Sequence, residues 1–120
     1  MDTSVWVRAL SGKQPYRDHV DELLATESVL AHEFVFGELL VGDPGGRAKT
    51  LASYELFMQA PTVAHAEVSS LVRARRLHGR GIGWIDAHLL ASVIISRSTL
   101  YTADSALHAI AEMLGVAYVR

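Results

Sequence analysis

The sequence contains no cysteine. Disulfides, thiolate nucleophiles and cysteine-ligated zinc are thereby excluded, and a cytoplasmic protein is expected. No apolar run approaches the roughly 20 residues that a membrane-spanning helix needs. The start, Met1-Asp2-Thr3-Ser4, lacks a basic segment followed by an apolar stretch, so no signal peptide is expected. No internal repeat, low-complexity tract or long linker divides the chain. A length of 120 residues suits one domain, 1–120, with one hydrophobic core. An excess of one charge is also missing. The formal net charge is −2, so no overall basic field selects nucleic acid as a partner. Arg73, Arg75, Arg76 and Arg80 crowd into one segment that permits a local basic patch, although such a run by itself suits a solvated helix face.

What the chain has in quantity is apolar residues, at 50%, arranged mostly with helical period. Tyr16, Val20, Leu23 and Leu24 mark one helix after Pro15, and a second is expected over His32–Val41, before Gly42-Asp43-Pro44-Gly45-Gly46. Leu51, Tyr54 and Met58 mark a third, stopped by Pro61. Val68, Leu71 and Val72 mark a fourth, which runs into the glycines at 79, 81 and 83. Leu89, Leu90, Val93 and Ile94 mark a fifth, and Leu107, Ile110 and Leu114 a sixth, ended by Gly115. Between them lie short candidate strands: Val29–Ala31, Thr62–Ala64, Thr99–Thr102 and Val116–Val119. Short strands alternating with helices predict an α/β layer with a largely parallel sheet, whose crevice lies beyond the carboxyl ends of the strands.

Acidic residues near such ends therefore carry weight. Asp2 opens Asp2-Thr3-Ser4-Val5-Trp6, and Asp104 follows the Leu100-Tyr101-Thr102 strand. Asp86 stands at the mouth of an apolar helix, and Glu38 lies mid-helix among Val35, Phe36, Leu39 and Leu40, where full exposure is not expected. Each has a structural alternative. Asp86 and Asp104 suit helix N-termini, where carboxylates meet unpaired backbone N–H groups. Glu38 suits a solvated helix position, and Asp2 a loose terminus. Taken as one set, the carboxylates would repel one another without a cation. An oxygen-only set suits Mg²⁺ or Mn²⁺, which can activate water and stabilise charge on a phosphodiester.

Of the six histidines, none pairs with another at the i, i+4 spacing of a helical zinc motif with an intervening glutamate. His88, two residues after Asp86, would face another side of its helix. Trp6 and Trp84 lie beside the acids, where they suit core packing or base stacking. Arg80, just ahead of the third acid's loop, is the best-placed arginine for RNA.

Four segments resemble the PIN-domain family, in order and across almost the whole chain: Asp2–Trp6, Gly37–Gly42, Ile82–Ala91 and Leu100–Leu107. The resemblance is to the toxin ribonucleases of bacterial toxin–antitoxin pairs, the VapC-like members. It implies a three-layer domain with a parallel sheet of up to five strands, order 3-2-1-4-5, flanked by helices. It implies a metal-dependent endoribonuclease with Mg²⁺ or Mn²⁺ as cofactor. Asp2, Glu38, Asp86 and Asp104 would form the acidic cluster, with Asp2, Asp86 and Asp104 as metal ligands and Asp2 and Asp86 foremost. Thr3, Ser4 and Thr102 would orient carboxylates or contact phosphate. A homodimer and a VapB-type antitoxin partner are further implications. Family members open with a few apolar residues forming the first strand, whereas Met1 alone precedes Asp2 here. The expectation is a truncated first strand, with a short apolar stretch before Asp2 in the natural protein. Two rival readings remain open on residues alone: a PIN fold that binds without cleaving, and a related metal-dependent DNA nuclease or phosphatase.

Overall fold

Caps and breakers cut the chain into seven α-helices among residues 1–119, which the computed structural model describes. They are α1 (Thr3–Leu10), α2 (Tyr16–Ala25), α3 (Glu33–Val41), α4 (Ala48–Glu55), α5 (His65–Ala74), α6 (Trp84–Ser96) and α7 (Ser105–Met113). They fall into two compact units. Unit 1 holds Met1 and Thr3–Gln59, and unit 2 holds Asp2 and residues 60–119.

In unit 1, α1 packs on α2 and α3, and α3 on α4. The eight-residue α1 buries Val5, Trp6 and Ala9, the i, i+1, i+4 stripe of one face. This helix was not among those expected from the sequence. The Trp6 ring meets Tyr54 of α4 edge-on at 5.5 Å and stacks near Phe57 at 6.3 Å. The Tyr54 hydroxyl accepts from the His32 N–H at 2.9 Å and donates to the His32 carbonyl at 3.3 Å. His32 in turn caps α3, its Nδ1 accepting from the Phe34 N–H. One phenol thus ties α4 to the start of α3. Burial pushes its pKa up to about 12, against a smaller opposing effect of the His32 backbone bond.

In unit 2, α5 and α6 meet through Val63, Val68, Ala87 and Ala91, with Leu71 and Val72 at the margin. The alanines let the helices approach closely. α5 ends with Arg76 in the left-handed region, φ +53°, and Leu77 donating back to the Val72 carbonyl at 2.9 Å. That is a Schellman turn with a buried leucine as its apolar clasp. α7 closes the same way, Gly115 at φ +74° and Val116 donating to Ala111 at 2.8 Å. Leu107, Ile110 and Ala111 form its buried face. Each fully buried leucine contributes about 1.5–3 kcal/mol of transfer free energy.

The expected sheet is reduced, among the described residues, to isolated parallel bridges, Ala31 with Gln59 and Leu100 with Ala117. The paired segments are too short for a ladder. Ala31 pairs with Gln59 rather than with residues 62–64. The latter pack by side chain instead: Val63 joins the α5/α6 core, and the Pro61 carbonyl accepts from the Ser92 hydroxyl at 2.7 Å. The third predicted helix also ends early. Met58 lies beyond α4, largely exposed, and its carbonyl accepts the Ala31 N–H.

Candidate acidic site

The segment Leu100–Thr102 is bonded on two sides. Leu100 donates to the Val116 carbonyl and accepts from the Tyr118 N–H, at 2.7 and 2.9 Å. The next carbonyl, Tyr101, accepts the Asp2 N–H at 3.0 Å. Asp2 is therefore an anchored residue of unit 2, only 4% exposed. The loose-terminus alternative does not hold.

The side chains extend this anchoring. The buried Thr102 hydroxyl donates to Asp2 Oδ2 at 2.5 Å and accepts the Asp104 backbone N–H at 3.0 Å. A hydroxyl can do both at once, so it fixes the Asp2 carboxylate and the backbone at Asp104 together. Asp104 is the N-cap of α7, its Oδ1 accepting from the Leu107 N–H at 3.0 Å, and it is exposed. Asp86, half-buried at the third position of α6, accepts the Gly83 N–H through Oδ2 at 3.1 Å. Both aspartates thus make the helix-terminal contacts that the structural alternative foresaw. Each of these bonds engages one carboxylate oxygen.

The loop before α6 presses close to this region of unit 2. A Cβ on Gly81, which sits at φ +83°, would lie 3.6 Å from Cβ of Ala106, two residues after Asp104. Arg80, exposed, donates from Nε to the Arg76 carbonyl and from a terminal nitrogen toward Met113 Sδ. Arg73, Arg75 and Arg76 are exposed as well.

Glu38 belongs to unit 1 and is exposed, contrary to the expectation from its apolar neighbours. The reason is local: Val35 and Leu39 turn inward, leaving Glu38 and Leu40 on the outer side of α3. The Thr3 hydroxyl donates to Glu38 Oε1 at 2.6 Å. Ser4 is half-buried in the first turn of α1. Unit 1 also contains a cavity of ≈ 520 Å³ whose wall includes Trp6, Val20, Glu38, Leu39, Leu51 and Tyr54.

His88 is buried on α6, where burial, followed by the charge of His65, lowers its pKa. Thr102, expected to orient a carboxylate, bonds Asp2 and the Asp104 N–H, so the Thr102-Ala103-Asp104 turn is a hydrogen-bond relay. Sequence reasoning undervalued one feature. Trp84 is exposed, and the glycine before it marks it as the opening residue of a helix.

Among the described residues, no three Asp, Glu or His side chains stand at a spacing that would itself cage a metal ion. Zinc would need such a cage. Magnesium does not, since it is held by one or two carboxylates, with water and substrate phosphates filling the remaining positions. Asp2, Asp86 and Asp104 each offer carboxylate oxygen, the donor chemistry of a hard cation, without standing as one three-residue group among the described residues.

The family model described as PIN domain matches residues 1–113. The chain is 38% identical over 118 residues to Ribonuclease VapC32 of Mycobacterium tuberculosis, strain CDC 1551 / Oshkosh. That match covers 98% of this chain and 93% of the relative. The protein of the same name from strain ATCC 25618 / H37Rv is equally similar, over the same shares.

Proposed function

This chain belongs to the PIN-domain family as a VapC-like member, and we propose from that premise that it is the toxin of a toxin–antitoxin pair, a metal-dependent endoribonuclease. Its fold class is PIN-like α/β. A parallel sheet of up to five strands, and a single domain over 1–120, are parts of the same proposal. So are a VapB-type antitoxin, a homodimer and a cytoplasmic location. The observation that carries the catalytic reading is the buried Asp2 carboxylate, anchored through Thr102 to the backbone of Asp104. Burying a carboxylate is costly unless charge or hydrogen bonds compensate, and the Thr102 hydroxyl is one such partner here.

In this reading Asp2 and Asp86 are the foremost ligands of Mg²⁺ or Mn²⁺, and Asp104 the third. Bound there, such an ion supplies charge stabilisation for the phosphodiester and lowers the pKa of water. The protein's own contribution is orientation. Thr102 holds the Asp2 carboxylate, and the Asp104 N–H holds the Thr102 hydroxyl. The Gly83 N–H steadies Asp86 at the mouth of α6, where the helix dipole favours negative charge. Glu38, oriented by Thr3, is proposed as a further acid of the reaction, Ser4 as a supporting hydroxyl, and Arg80 as a contact for RNA phosphate.

Cleavage of single-stranded RNA, duplex DNA and a small phosphate ester, each with Mg²⁺, Mn²⁺ or a chelator, tests the proposal. Metal-dependent cleavage of the RNA alone is expected. Cleavage of duplex DNA or of the ester instead would replace it with a related hydrolase. Binding of RNA or antitoxin with no cleavage would make the chain an interaction module.

A further inference from the structure

The two tryptophans have opposite environments. Trp6 is 4% exposed in unit 1, whereas Trp84 is 44% exposed in unit 2. Trp84 is the first residue of α6 and precedes Asp86 by two positions, about 3 Å of rise along the helix axis. Its indole meets two imidazoles. The His88 ring, one turn later on α6, meets it edge-on at 4.9 Å and 87°. The His65 ring, at the start of α5, lies 4.9 Å away at a tilt of 50° and is itself exposed.

A large exposed aromatic most often marks a contact with another macromolecule, and the setting indicates which kind. Ile94 and Ile95, the other large apolar side chains that α6 exposes, begin about 15 Å further along the axis. Chain neighbours of the two exposed rings include small exposed residues, Ala64 and Ala66 beside His65 and Gly83 before Trp84, while Ile85 after Trp84 is half-buried. A protein interface favours a contiguous apolar patch. A lone exposed flat ring, held in orientation by its ring contacts, instead suits a flat partner. Unstacked bases of single-stranded RNA are such partners, and every base offers a face to an indole.

We propose that Trp84, flanked by His65, is a stacking platform for one base of single-stranded RNA, on the first turn of the helix that also carries Asp86. The inference rests on the ribonuclease reading and adds to it a fixed subsite. One nucleotide is held by its face, without base-edge contacts. The subsite therefore tolerates all bases and favours purines, which stack more strongly.

The test is binding of single-stranded oligoadenylate and oligouridylate to the full chain in the presence of chelator, followed by tryptophan fluorescence. Quenching on binding is expected in the wild type and not in Trp84→Phe, with oligoadenylate bound more tightly than oligouridylate. Trp84→Ala should weaken binding roughly five- to 150-fold, the range for loss of one stacked base. Trp84→Phe should keep most of the affinity, and circular dichroism should show both variants folded. Wild-type binding with Trp84→Ala equally tight would overturn the platform and leave the ribonuclease reading intact. Loss of self-association or of antitoxin binding in Trp84→Ala, with RNA affinity unchanged, would reassign the ring to a protein contact. A wild type that neither binds nor cleaves RNA would overturn the ribonuclease reading and the platform with it.

Discussion

The Thr102 hydroxyl donates to Asp2 Oδ2 across a sequence separation of 100 residues, and the same oxygen accepts the Asp104 N–H. One small polar group therefore sets the orientation of one acid and the backbone of another. Removing it should disturb both. Thr102→Val keeps the shape but leaves a buried carboxylate and a backbone N–H without this partner. A loss of about 1–3 kcal/mol is expected in urea unfolding, together with a fall in RNA cleavage. Thr102→Ser should restore most of each.

Asp104 offers a way to separate capping from charge. Asp104→Ala removes the acceptor for the Leu107 N–H and should cost about 1 kcal/mol of stability. Asp104→Asn retains a cap and should unfold close to the wild type. If the carboxylate acts in the reaction, the Asn variant should nonetheless cleave RNA poorly. Parallel thermal melts and cleavage rates read the two effects independently.

Tyr54 links stability to alkaline pH. Its pKa is raised from 10.0 to about 12, so the folded state holds the phenolic proton more tightly than the unfolded chain does. The stabilisation is complete below pH 10 and is lost as pH rises through about 12. Tyr54→Phe should be less stable at neutral pH, having lost the two His32 bonds, and should lack this alkaline component. Urea midpoints at pH 8, 10 and 11.5 would show it.

His88 acts in the opposite direction. Burial first, and the His65 charge second, lower its pKa from 6.5, so the folded state holds the proton less tightly. Its contribution is present above pH 6.5 and lost as pH falls through the depressed value. An imidazole titration by NMR should place His88 below the ordinary histidine value of 6.5, and His65→Ala should raise it. An unaltered His88 midpoint in that variant would remove the His65 contribution.

Much of this was legible in the sequence because it is local. The helix starts after Pro15, at His32 and at Asp104, and the stops at Gly42 and Gly115, follow from chain chemistry within a few residues. The acids at 86 and 104 were readable for the same reason, including their capping role. Features set by distant partners were not. Nothing near Asp2 announces its burial, which depends on Tyr101 and Thr102. Met58 continues the period of Leu51 and Tyr54, yet α4 stops before it and its carbonyl pairs with Ala31. The eight residues of α1 carry only one short apolar stripe, too little to separate a helix from an extended opening motif. Glu38 was misjudged because apolar neighbours along a helix need not share its face.

The central claim is that the acids Asp2 and Asp86 support metal-dependent cleavage of RNA. The most direct measurement is the cleavage rate of a single-stranded RNA with Mg²⁺ or Mn²⁺ by the wild type, Asp2→Asn and Asp86→Asn, with circular dichroism melts alongside. Asparagine at 86 can still accept the Gly83 N–H, so the fold of that variant should persist. The account expects robust wild-type cleavage that a chelator abolishes, and near-complete loss in both folded variants. Undiminished, chelator-sensitive cleavage by both would contradict it.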